Sequence, residues 1–199
     1  MATYKFTISD DTILTTLTYL ASDVDQWITD IMFIHRRRLH KLIVGLDVEW
    51  RPNTVGGVFN PIATLQLCVG RRCLIFQLLY ADYFPRSLIK FLRNKKFMFV
   101  GVEIERDVQQ LWRDHRLRVA QAVDLRQLAA TQFDAKKLMN MGLKKFAKEV
   151  LGKEIDKPKD IARSGWDNEF LTEAQVRYAA GDAFISFEVG RVLISENHQ

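Results

Sequence analysis

In Gly45-Leu46-Asp47-Val48-Glu49-Trp50, two carboxylates stand two residues apart at the end of an apolar run that begins at Leu42. Alternate residues of a strand point to the same side, so this spacing puts both acids on one face. Like charges a few ångströms apart repel, and burial adds a desolvation cost. Such a pair persists when it is protonated, salt-bridged or bound to a cation, and a hard divalent ion such as Mg²⁺ prefers oxygen ligands. Taken alone the fragment is a weak sign, because most such pairs are surface acids. Tyr178-Ala179-Ala180-Gly181-Asp182 offers a second arrangement, a phenol and a carboxylate four residues apart. On a helix these stack on one face, where the phenol can hold a water beside a metal bound by the acid. The bland alternative is a packed Tyr and a solvent-facing Asp. Gly181 weighs against it, since glycine inside a helix costs about 1 kcal/mol relative to alanine, and close packing or a nearby site is the expected reason. Asp107 falls in the first turn of a predicted helix, where an acid also suits the helix dipole.

The elements that must carry these residues are legible. Leu42 to Trp50 reads as a central strand covered on both faces, and Ala63–Val69 with Cys73–Leu78 as a hairpin around Gly70-Arg71-Arg72. A strand over Phe97–Val102 feeds a helix from Ile104 to His115, which bears Asp107. A short strand over Val119–Val123, a helix over Leu125–Thr131 and a helix over Gly142–Leu151 follow, the last closed by Gly152. Lys153 to Trp166 reads as a connector. Thr172 then caps a long final helix to about Ser195, which bears Tyr178 and Asp182. Ahead of all this lie strands over Tyr4–Ile8 and Ile13–Leu20 and a helix capped by Ser22 or Asp23, with Val24, Trp27, Ile28 and Ile31 on one face. A further helix spans Pro85–Leu92. Strands first as a meander and then alternating with helices imply an α/β fold with a mixed central β-sheet flanked by α-helices, in one domain over residues 1–199.

The totals agree with a globular chain: 199 residues, 48% hydrophobic and 27% charged. The longest apolar runs are too short to cross a bilayer, and Met1 to Asp10 lacks a secretory pattern. Both point to an intracellular protein with no membrane partner. Cys68 and Cys73 flank the hairpin turn, close enough to bridge in principle. They are expected to be two small buried hydrophobes of a reducing compartment. The formal charge is +5, and from Lys136 to Arg163 nine Lys or Arg face four Asp or Glu. The basic excess is therefore local and favours a polyanionic partner. A dehydrogenase-type nucleotide fold is disfavoured, because no Gly-x-Gly-x-x-Gly occurs.

Placed in order, GLDVEWRP (Gly45 to Pro52), GVEIERDVQQL (Gly101 to Leu111) and LTEAQVRYAAGDAF (Leu171 to Phe184) resemble the three motifs of the DEDDy 3′–5′ exonucleases. These belong to the RNase H-like (DnaQ-like) superfamily. Within it, the likeness is strongest to the Werner-syndrome-type exonuclease domain in its plant-like stand-alone form. ATLQLCVG, CLIFQL, VDLRQLA and the GLKKFAKEVLGKEI stretch extend it over nearly the whole chain. The resemblance implies an RNase H-like fold and two divalent cations, Mg²⁺ or Mn²⁺. Asp47, Glu49 and Asp182 would hold the first, Asp47 would bridge to the second, and Asp107 would act on that one. Tyr178 would orient the attacking water, and nucleoside 5′-monophosphates would leave a 3′ end. It implies nucleic acid as partner, with DNA favoured and RNA possible, and favours the nucleus. A homo-oligomer is left open. Substrate contacts are expected from Arg71, Arg72, Lys144, Lys145, Lys148 and Arg163, with Lys153, Lys157 and Lys159 along the same phosphate path. Trp166 is expected either to stack on a base or to join the core. Two departures stand out, Glu103 where the family has a small residue and Gly181 where it has a larger one. They keep open an inactive nucleic-acid-binding module on the same fold.

Overall fold

The computed structural model describes residues 1–8, 10–53, 56, 59–133, 136–154 and 157–196. Its strands are β1 (Ala2–Ile8), β2 (Asp11–Thr18), β3 (Ile43–Glu49), β4 (Thr64–Val69), β5 (Arg72–Gln77), β6 (Met98–Gly101) and β7 (Ala122–Asp124). They form one sheet in the order β1-β2-β5-β4-β3-β6-β7. β1 with β2, and β3 and β5 with β4, pair antiparallel, while β2 with β5 and β6 with both β3 and β7 run parallel. The helices are α1 (Ala21–Ile34), α2 (Arg86–Leu92), α3 (Ile104–His115), α4 (Leu125–Phe133), α5 (Leu143–Leu151), α6 (Lys159–Ala162) and α7 (Glu173–Glu196). The mixed, helix-flanked sheet is the one expected. None of the helices is long and apolar enough to cross a membrane, among the described residues.

Two cores lie on opposite faces of the sheet. One gathers α1, α2 and α3 over Val44, Leu46, Val48 and Phe99. The other gathers α4, α5 and α7 over Phe6, Ile13, Cys73, Ile75 and Val100. Strand alternation explains what this does for the acids: with Val44, Leu46 and Val48 turned toward the first core, Gly45, Asp47 and Glu49 must turn toward α7. Gly45 sets the approach. A Cβ there would lie 2.0 Å from the Ala183 carbonyl oxygen and 2.7 Å from the Phe187 nitrogen, so α7 rests directly on the β3 backbone.

The start of α7 is fixed by a capping box: the Gln175 N–H donates to Thr172 Oγ1 at 3.3 Å, and the Thr172 N–H donates to Gln175 Oε1 at 2.9 Å. Gln175 Nε2 also donates to Ser164 Oγ at 2.9 Å and to the Gly165 carbonyl at 3.3 Å, which ties the helix to the segment before it.

Several local expectations are corrected. Leu20, rather than Ser22 or Asp23, occupies the cap of α1, because Asp82 reaches across to accept the Ala21 N–H at 2.8 Å. β7 begins three residues later than expected, since the Ala120 N–H bonds to the Leu92 carbonyl beside α2 before the ladder to β6 starts. Within the connector, Lys159–Ala162 forms a helical turn, and Ile155 and Asp156 lie outside the described residues. Cys68 and Cys73 are register partners with Cα atoms 4.2 Å apart, and they are joined as a disulfide rather than held as two separate thiols.

Gly181 is not required by packing. Among the described residues, a Cβ there would meet Ile8 Cδ1 alone, at an ordinary 3.6 Å. Gly181→Ala is therefore expected to stabilise the protein by about 1 kcal/mol through helix propensity. That corresponds to a melting temperature roughly 2–4 °C higher for a chain of this size, read from thermal denaturation followed by circular dichroism.

Candidate metal centre

β3 delivers Asp47 and Glu49 to the α7 face, and α7 delivers Asp182 with Tyr178 one turn earlier. One carboxylate oxygen from each of Asp47, Glu49 and Asp182 lies within 4.8 Å of the other two. Asp107 is buried on α3 and stands outside that group. Asp47 is nonetheless the charged neighbour that perturbs it most.

The placement of Asp107 depends on the turn from β6 into α3. Glu103 caps α3 with a left-handed backbone, φ 62°, a region that favours small residues. This is where the resemblance has a small one. Its N–H donates to Asp124 Oδ2 at 2.9 Å, and Asp124 also accepts the Arg126 backbone N–H at 2.9 Å and the Arg126 guanidinium at 3.0 Å. Arg126 in turn holds Glu103 Oε1 at 3.1 Å, with the glutamate side chain 58% exposed. Glu103 thus faces solvent and Arg126 and does not join the cluster. Asp124 pins the turn, a role the sequence reading missed. The available signal was an acid two residues before an Arg at a strand-to-helix junction.

Among the described residues, one cation forms a salt bridge with the cluster. Lys157 Nζ lies 2.5 Å from Asp182 Oδ2 and 5.1 Å from the centre of the Tyr178 ring. The sequence reading placed this lysine on a phosphate path; the structure brings it into the carboxylate pocket.

The electrostatics follow from burial. Asp47 is pushed up to about 7 by desolvation and then by the Asp182 charge. Asp107 is pushed up to about 8 by desolvation and then by Asp47. Glu49 lies well above the usual range for the same reasons, with Asp47 its strongest charged neighbour. Asp182 is raised by burial, partly offset by Lys157. For Lys157, burial works against the ammonium, but Asp182 and Asp47 outweigh it and raise its pKa. Tyr178 is raised by burial and then by Asp182, so its phenol keeps its proton near neutral pH. Crowded, largely enclosed carboxylates that offer only oxygen donors, already drawing in an ammonium, are the chemistry a hard divalent cation satisfies. The residues present fit such an ion.

The expected substrate contacts are placed elsewhere. Trp166 is 1% exposed, packs 5.9 Å from Tyr178 and donates its Nε1–H to the Ala162 carbonyl at 3.3 Å. It is a core residue and offers no free face to a base. Arg71 and Arg72 sit at the β4–β5 turn. Asp47 pairs with Gln66, and Gly70 lies four residues beyond it, roughly 13 Å along the strand. Arg71 binds Asp11 at 2.6 Å there, beside a cavity of about 590 Å³. Lys148 pairs with Glu154 at 2.6 Å, while Lys144, Lys145 and Arg163 are exposed. None of these enters the carboxylate pocket.

Residues 30–196 match the family model described as 3′-5′ exonuclease. The chain belongs to the 3′–5′ exonuclease family. Over 143 residues it is 36% identical to the bifunctional 3′-5′ exonuclease/ATP-dependent helicase WRN of Mus musculus, which covers 71% of this chain and 10% of that protein. Over 151 residues it is 31% identical to a 3′-5′ exonuclease of Arabidopsis thaliana, covering 75% of this chain and 52% of the relative. The chain thus spans about half the length, or less, of these curated relatives. Among solved structures, the EXD2 exonuclease domain soaked in Mn is 28% identical with a TM-score of 0.53, covering 91% of this chain and 89% of that one. Escherichia coli RNase D, at 19% identity, gives a TM-score of 0.73 over 92% of this chain and 45% of its own. That likeness is one of fold, and it shows the RNase H-like α/β sheet. The chain thus carries the 3′–5′ exonuclease family's domain over residues 30–196, with an acidic cluster suited to metal.

Proposed function

We propose that this exonuclease domain works with two divalent cations, Mg²⁺ or Mn²⁺, removing nucleoside 5′-monophosphates from the 3′ end of a nucleic acid. The convergence of Asp47, Glu49 and Asp182 within 4.8 Å carries the reading, and Asp107 feels the Asp47 charge more than any other. Asp47, Glu49 and Asp182 would hold one ion, and Asp47 and Asp107 the other. When bound, such a pair supplies Lewis-acid stabilisation of the attacking and leaving oxygens and a more acidic water. Tyr178 keeps its phenolic proton near neutral pH, so it would orient that water as a hydrogen-bonding group rather than remove its proton. Gly45 fixes the distance between the strand acids and Asp182 by letting α7 rest on β3.

For the substrate, DNA is favoured and RNA remains within the same chemistry. Exposed Lys144, Lys145, Lys148 and Arg163 are offered as backbone-phosphate contacts. Their binding would be sequence-independent and would weaken steeply with salt. A nuclear location rests on family likeness alone. Glu103 gives the inactive-module alternative little support, since its carboxylate is exposed, bound by Arg126 and outside the group of Asp47, Glu49 and Asp182.

The test is trimming of 5′-labelled DNA and RNA oligonucleotides with Mg²⁺, Mn²⁺ or a chelator. Shortening from the 3′ end that needs the metal is expected, with the faster polymer identifying the substrate. Binding without any trimming would return the domain to the inactive alternative.

A further inference from the structure

Three carboxylates within 4.8 Å of one another, Asp182 buried and Asp47 and Glu49 half-buried, need positive charge, or they hold protons. Among the described residues, the one salt bridge to these three acids comes from Lys157, whose Nζ touches Asp182 Oδ2 at 2.5 Å. The ammonium also lies over the Tyr178 ring, a favourable contact for a cation. Lys157 therefore meets both α7 residues singled out for the chemistry, the acid and the phenol.

Its backbone belongs to no helix or strand and immediately precedes Pro158, which restricts it to extended conformations. Movement of the charge therefore falls to the four-carbon stem. The side chain is 27% exposed, so a route outward exists.

We propose that Lys157 is the cluster's own counter-cation in the metal-free protein, and that its ammonium and a divalent ion exclude one another at Asp182. The inference rests on reading the cluster as a metal centre. An ammonium is a compact, strongly hydrated point charge. It cannot keep a 2.5 Å contact with a ligand oxygen beside a divalent cation without strong repulsion. Metal loading is then an exchange of cations: the ion takes the carboxylate and Lys157 swings toward solvent. Without the ion, the lysine keeps the acids from repelling one another apart.

Mn²⁺ binding by calorimetry, with thermal melting, tests this on the wild type, Lys157→Met, Lys157→Gln and Asp182→Asn. Both Lys157 variants are expected to bind Mn²⁺ about tenfold more tightly, since a competing charge is gone. They should also melt lower than the wild type without metal, and gain more on Mn²⁺ addition. In the wild type, an amine-reactive reagent should modify Lys157 faster once Mg²⁺ is present, read by mass spectrometry. Unchanged or weaker Mn²⁺ binding in both Lys157 variants, with binding in the wild type that Asp182→Asn removes, overturns the exchange and leaves the metal centre standing. No Mn²⁺ binding by the wild type overturns the metal centre itself, and the exchange falls with it.

Discussion

Asp47→Asn is expected to remove about a thousandfold or more of the nuclease activity and, at pH 8 without metal, to make the protein more stable. The two effects have one origin. In the proposed reading Asp47 would serve both ions: its oxygen lies within 4.8 Å of Glu49 and Asp182 oxygens, and it is the strongest charged neighbour of Asp107. An amide keeps the shape but removes the charge through which a cation would be held. Loss of a single transition-state hydrogen-bond donor already costs about a hundred- to a thousandfold in other hydrolases, so loss of a shared ligand should cost no less. In the folded protein burial has pushed Asp47 up to about 7, so at pH 8 its ionised form sits in the pocket at a penalty. The amide carries no such penalty, so the variant should melt several degrees higher in chelator. With Mn²⁺ the order should narrow or invert, because the wild type alone regains a full ligand set. A variant that kept full turnover would remove Asp47 from the machinery. One that lost turnover and also melted lower in chelator at pH 8 would show that the cluster is not under electrostatic tension.

What the sequence revealed of this centre follows from which contacts are local. Asp47 and Glu49 share a face because strand alternation has period two, and Tyr178 and Asp182 share one because a helix repeats nearly every four residues. Such relations need only the right element type, and the apolar run from Leu42 and the Thr172 cap supplied it. That β3 and α7 meet is a different kind of fact. It depends on Gly45 leaving room for the Ala183 carbonyl, and only the family motifs foresaw it. Lys157 and Asp124 show where local reading stopped. One reaches a helix across an irregular connector, and the other, on a strand two away from that of Asp47, pins the turn after β6. Neither partnership has a periodicity to betray it. Trp166 stayed open between two readings for a related reason: an aromatic in a basic connector suits a base or a core equally well, and its burial against Tyr178 decides for the core. Arg71 and Arg72 were linked to the substrate by charge alone, whereas the register of β3 on β4 puts them at the other end of the sheet.

In chelator, the stability of the wild-type protein should fall as pH rises from about 4 to about 8. Asp47 moves from its ordinary 3.8 up to about 7 on folding, and Asp107 from 3.8 to about 8. A group whose folded pKa is raised binds more protons in the native state than in the unfolded one. Its stabilising contribution is therefore complete below the unfolded pKa and lost as pH climbs through the folded value. The other titrating groups allow the window to be chosen. Asp11, Asp114 and Asp167, lowered from 3.8, and Glu154, lowered from 4.5, cease to affect the slope once pH rises past those ordinary values, well below 6.5. His35, lowered by burial and by Arg38, acts below its ordinary 6.5. Between pH 6.5 and 8 the slope thus belongs to the carboxylate pocket. A loss of a few kcal/mol is expected across the whole range, a large share of the 5–15 kcal/mol typical of a domain. Urea midpoints measured every half unit would show it. Saturating Mn²⁺ or Mg²⁺ should turn the slope the other way, because the ion binds the deprotonated acids and its affinity grows as protons leave. A flat chelator profile between pH 6.5 and 8 would mean that the acids are not confined together in the folded chain. A falling profile that metal leaves unchanged would mean that they are confined but do not form a metal centre.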